Sequence, residues 1–365
     1  MKINSIQFLR AIAILLVLYA YAIDVQMAFS VSHQQKFHYL PNFGAIGIDL
    51  LFVITGFITC YTTNVYTGKR DGWLFLKKRF LRINPLYYTA TTIYIVAFCL
   101  IDKVYPVTAL LNNLKETLLI IPILNSQQEL AHALITGWPL SFIWWFYLLF
   151  YALILLKVKN KILALLLIIP ALVLGGYFLH AKDFRLQFYL NPIMLEFLFG
   201  VIIYWLYRHV KITAPVAGLL LLLGLAGYLY NILHGYGDIS ETGIQISPEK
   251  HLKRTFLWGL PCAFVLAGSI FLEQKALLQR LWNNRFFLLL GNTSFAIYLV
   301  FYTVFYLLSA LYIKTGFFWN PDLSIFVHMA LGIGAGLLFY KYAERPFLQN
   351  IHFKPLVQPA HVAMP

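Results

Sequence analysis

Runs of apolar residues long enough to cross a lipid bilayer recur along this chain, and no other feature restricts its fold as strongly. They lie near 5–25, 43–65, 84–101, 139–156, 161–180, 189–207, 215–234, 255–272, 288–313 and 322–341. A hydrocarbon core takes about 20 residues of helix to cross. No water is present there to satisfy an open backbone, so each run must close its hydrogen bonds within itself. The pattern therefore predicts an all-α fold, a polytopic membrane helical bundle of about ten transmembrane helices. Composition agrees: the 365 residues are 61% hydrophobic and only 12% charged, against roughly 25% charged in soluble domains. No small-residue cleavage site follows the first run, which reads as a retained span rather than a signal peptide.

The formal net charge of +14 would suit nucleic acid, but its placement points to topology instead. With the N-terminus in the cytoplasm, ten spans put the loop 66–83 on the same side. That loop carries Lys69, Arg70, Lys77, Lys78, Arg79 and Arg82, and with the other inner segments it gathers 19 of the 28 basic residues. This positive-inside bias predicts a multi-pass protein of the inner (plasma) membrane with both termini cytoplasmic. The bilayer is its first partner, and no nucleic acid is expected.

Cys60, Cys99 and Cys262 fall in or near apolar runs and form neither a disulfide framework nor a metal spacing. The longest polar stretches, 26–42, 102–138 and 233–254, are predicted on the outer side, with an amphipathic segment at 111–121 suited to the interface. The expected organisation is a single transmembrane domain over 1–347 with a C-terminal tail over 348–365.

Ionisable groups inside a membrane are costly and mark candidate sites. Arg10 and Asp24 lie in the first run, Asp49 in the second and Glu196 in the sixth. Each also has a plain structural reading: snorkelling for Arg10, an interhelical hydrogen-bond acceptor for Asp49 and Glu196. In the basic segment 77–85, Arg79 and Arg82 are three apart and share a helix face. Two guanidinium groups so placed suit phosphate oxygens, and equally suit lipid headgroups. These features alone do not separate an enzyme from a transporter.

The order of motifs does more. IQFLRAIAILLVLY at 6–19, GIDLLFVITGFI at 47–58, KKRFLRINPLYY at 77–88 and GWPLSFIWWFYLLFYALI at 137–154 are followed by PIMLEFLFGVII at 192–203, LLGNTSFAIYLVFY at 289–302 and KYAERPF at 341–347. Over nearly its whole length the chain resembles the membrane acyltransferases called acyltransferase family three, in the branch that modifies exopolysaccharides. The resemblance implies an acyl-CoA donor, acetyl-CoA foremost, used as a substrate rather than a resident cofactor. It implies a carbohydrate hydroxyl of a surface polysaccharide as acceptor. It also implies donor binding by Arg10, Arg79 and Arg82, with Asp49, Trp138, Glu196, Ser294, Tyr298, Glu344 and Arg345 as the motif residues around them.

In the family's first helix a histidine stands eleven residues after the arginine. Eleven residues make about three turns and rise roughly 16 Å, so one face would hold the donor's phosphates at one end and the reacting base at the other. This sequence has Tyr21 there, and a phenol with a pKa of about 10 is a poor base at neutral pH. The family's glutamate five residues after Trp138 is Ile143, and the histidine of its Tyr-Leu-x-His pattern, after Tyr298 and Leu299, is Phe301. No catalytic residue of the family pattern is intact, and activity is expected to be absent or severely impaired. Asp24 is the first substitute base, three residues from Tyr21; His33, His38 and His328 are remoter ones. No metal site is expected. Two other readings stay open: a catalytically silent protein that binds acyl-CoA or a partner in glycan synthesis, and a glycan transporter.

Overall fold

A computed structural model describes residues 3–29, 43–101, 114–121, 134–179, 183–234, 248–316 and 320–350. Every regular element among them is helical, and ten helices are long and apolar enough to span a membrane. In chain order they are Asn4–Gln26, Ile46–Thr63, Gly68–Ile101, Trp138–Leu155, Lys161–Leu179, Phe184–His209, Ala214–His234, Glu249–Gln274, Arg285–Thr315 and Leu323–Gln349, called here the first to tenth spans.

Burial sorts them into an inner group and a periphery. The second and eighth spans have 72% and 78% of their apolar windows buried, the fifth and seventh only 17% each. The first span packs on the second, ninth and tenth; the second packs on the sixth; the third packs on the fourth and ninth. In lipid, where apolar side chains gain little by leaving their surroundings, such contacts depend on close backbone approach through small residues. Gly56 and Gly200 do this between the second and sixth spans: a methyl on Gly56 would overlap the Phe197 carbonyl, and one on Gly200 the Val53 carbonyl.

Two expectations change. The segment 66–83 is not a loop, because the third span is helical from Gly68 through Pro85 to Ile101. Its 34 residues make a helix of about 51 Å, well beyond a core of about 30 Å. The basic half is a helical extension of the span, and its charge hid that from a reading based on apolar runs. The polar stretch 233–254 also ends early, since helix resumes at Pro248 and carries Arg254 into the bundle. At the other end the helix Arg345–Asn350 continues past residue 347. His33, His38, residues 111–113 of the amphipathic segment and the tail from 351 lie outside the described residues. The rest of that segment contains a short helix, Leu114–Leu119.

Candidate functional site

Five spans line a cavity of about 280 Å³, close to the small end of ligand pockets, which run from roughly 300 Å³ upward. The first span supplies Gln7 and Arg10 to its wall, and the third supplies Arg79 and Arg82. The second contributes Leu51, Phe52 and Thr55, the fourth Ile143 and Tyr147, the ninth Ser294 and Tyr298. Arginines about 70 positions apart in sequence thus converge on one space. Gly291 allows the approach of the first and ninth spans, because a side chain there would strike the Gln7 carbonyl, three residues before Arg10.

The three guanidinium groups are held differently. Arg79 donates to Thr62 Oγ1 at 3.3 Å and lies over the Tyr147 and Phe75 rings, 4.9 and 5.4 Å from their centroids. Among the described residues Arg10 has one long hydrogen bond, Nη1 to Gln7 Oε1 at 3.4 Å. Arg82 is exposed to the cavity and makes no hydrogen bond among the described residues. A cavity with stacked and unengaged guanidinium groups is suited to an anion with several oxygens, since each planar fork can offer paired donors.

The positions that the sequence marked for chemistry lie along the same wall and beyond it. Ile143 lines the cavity with Ser294 and Tyr298. Tyr298 donates its phenol to the Thr136 carbonyl at 2.7 Å, and Ser294 donates to the Gly291 carbonyl at 2.9 Å, so both hydroxyl protons are engaged. Behind Tyr298, Phe301 is 6.3 Å away centroid to centroid, and Tyr21 meets Phe301 edge-on at 5.1 Å. Positions 21 and 301, far apart in sequence, therefore touch, and aromatic packing fills the space between them. Tyr302 closes on Tyr21 from the other side at 5.8 Å. Asp24, one turn on, has an exposed side chain. His328 is fully buried against the Ser324 carbonyl at 2.7 Å and against Phe305, which separates it from Phe301.

Asp49, Glu196 and Trp138 do not join the arginine cavity. They surround Arg254, which the sequence alone places among the outer polar residues. Arg254 donates through Nε to Asp49 Oδ1 at 2.8 Å and through Nη2 to Asp49 Oδ2 at 2.7 Å, a bidentate pair with both side chains sealed from solvent. The guanidinium sits 5.0 Å from the Trp258 centroid and 5.9 Å from that of Trp138, and the buried Glu196 is in electrostatic contact with both members of the pair. One signal could have found it: a carboxylate inside a span requires a partner, and Arg254 borders the apolar run of the eighth span.

Residues 3–341 match the family model described as an acyltransferase domain. The exopolysaccharide production protein ExoZ of Rhizobium meliloti (strain 1021) is 27% identical over 331 residues, covering 89% of this chain and 95% of that protein. No solved structure matches the chain. Similarity spanning nearly every helix of the bundle, including those that carry Arg10, Arg79 and Arg82, shows that this multi-pass membrane protein belongs to acyltransferase family three.

Proposed function

We propose that this chain has the scaffold and donor-binding face of a membrane O-acyltransferase for a surface or exopolysaccharide, with its reacting groups replaced. The observation that carries the reading is the convergence of Arg10, Arg79 and Arg82 on one cavity, as the phosphates of an acyl-CoA would require. The resemblance to an exopolysaccharide production protein favours a carbohydrate acceptor. In the reaction a sugar hydroxyl oxygen bonds to the thioester carbonyl carbon, the C–S bond breaks, and the hydroxyl proton passes by way of a base to the departing CoA sulfur. Tyr21, Ile143 and Phe301 are poor candidates for that base, and loss of one general base commonly costs about 10²–10⁴ in rate. The bias of basic residues favours a plasma-membrane protein with both termini in the cytoplasm. Arg10, Arg79 and Arg82 would then lie in the halves of their spans nearer the side where acyl-CoA is made. A silent acyl-CoA-binding protein is the form this reading takes if turnover is nil.

The test is CoA release from acetyl-CoA, in the presence of an acceptor glycan, by the purified chain in nanodiscs. It runs beside a variant carrying Tyr21→His, Ile143→Glu and Phe301→His, with matched folding verified for both. Release by the variant alone supports the reading. Comparable release by the unmodified chain overturns the assignment of these three positions and directs attention to Asp24.

A further inference from the structure

The tenth span is interrupted near its end by a π-helical turn, Tyr340–Glu344, after which α-helix resumes at Arg345. Such turns are rare and recur at functional sites. Each inserted residue rotates the remainder of the helix by about 100°, so the turn sets the direction in which Glu344 points. Glu344 is 3% exposed, and its Oε2 has no hydrogen-bond partner among the described residues. The charges it faces are Arg82 and Arg10, two of the three arginines of the cavity. It is not itself part of the cavity wall, and it acts on them through their field.

A buried carboxylate is ordinarily tied down by hydrogen bonds or a closed ion pair. Here the carboxylate lies in the field of two guanidinium groups that do not clasp it. Arg82 has no hydrogen bond among the described residues, and Arg10 has only its long contact with Gln7. Three guanidinium groups around one cavity repel one another, and a nearby negative charge offsets part of that repulsion. The same charge opposes an incoming polyanion.

We infer that Glu344 is a resident counter-ion of the arginine cavity, one that limits how tightly a polyanion is held and so helps a spent one to leave. This rests on the reading that the cavity takes a phosphorylated acyl donor. In that case Glu344 determines affinity without touching the reacting atoms, and its charge rather than its shape is what matters.

The experiment is calorimetric binding to the full chain in phosphatidylcholine nanodiscs, with two probes, coenzyme A and inorganic pyrophosphate. Glu344→Gln, which removes the charge and keeps the volume, is expected to tighten both by about tenfold. Glu344→Asp, which keeps the charge, is expected to stay within about threefold of the parent. Arg82→Gln should weaken both probes. Glu344→Met carries the same expectation as the glutamine variant if that variant does not fold. Unchanged or weaker binding in the neutral variants overturns the inference, as does an aspartate variant that behaves like the neutral ones. If pyrophosphate binds and tightens on loss of the carboxylate while coenzyme A does not bind, the counter-ion stands and the donor reading falls. If neither probe binds the parent or any variant, both fall.

Discussion

Replacing Arg254 by alanine should be among the most damaging single changes in this bundle, and the structure sets its size. The guanidinium makes two charge-assisted hydrogen bonds to Asp49, at 2.8 and 2.7 Å, with neither side chain in contact with solvent. Its removal leaves a carboxylate buried beside a second buried carboxyl group, Glu196. Breaking a buried pair from one side costs about 3–5 kcal/mol, and the second carboxyl group places Arg254→Ala at the upper end. Asp49→Ala should cost less, because the stranded guanidinium still faces Glu196 and lies 3.5 Å from the Ala45 carbonyl. Replacing both, Asp49→Leu with Arg254→Met, removes both charges and should return stability to within about 1 kcal/mol of the parent. The assay is reversible unfolding in mixed micelles titrated with denaturing detergent, followed by tryptophan fluorescence, on the parent and these three variants. A loss below about 1 kcal/mol for Arg254→Ala, or a double variant no more stable than Arg254→Ala, would refute the reasoning.

Packing and capping lead to two more expected outcomes. Glu273 reaches from the end of the eighth span to the start of the first, accepting from the Asn4 and Ser5 backbone N–H groups at 2.8 Å each. Glu273→Ala should destabilise the protein by about 1–3 kcal/mol in the same titration, since two helix-terminal donors lose a charged acceptor. Gly200→Ala should force the second and sixth spans apart and lower the melting temperature by several degrees, whereas Gly218→Ala, on an open surface, should leave it unchanged.

Much of the architecture was legible because membrane burial is written locally. A run of Leu, Ile, Val and Phe of the right length specifies a spanning helix wherever it sits in the bundle, and the ten runs correspond to the ten spanning helices. The family was legible for a related reason: motifs such as those around Arg10, Asp49 and Arg79 keep their order along the chain. The helical extension at 68–83 was not, because its lysines and arginines interrupt the apolar signal although the backbone there remains helical.

Partnership was not legible. Asp49 announced that it needed a counter-charge, and Arg254 borders an apolar run, but only the fold pairs the two across 205 residues. Glu344 read as part of a C-terminal motif, and only the packing of the tenth span against the first and ninth brings it into the field of Arg10 and Arg82. The contact between Tyr21 and Phe301 is of the same kind. Short-range hydropathy and linear order were enough to specify a membrane bundle, the places of its ten apolar spans and the motifs of its family. Which charges face one another and which arginines share a cavity follow only from the packed bundle. Those facts depend on distances between helices remote in sequence, which backbone approach at residues such as Gly56, Gly200 and Gly291 sets.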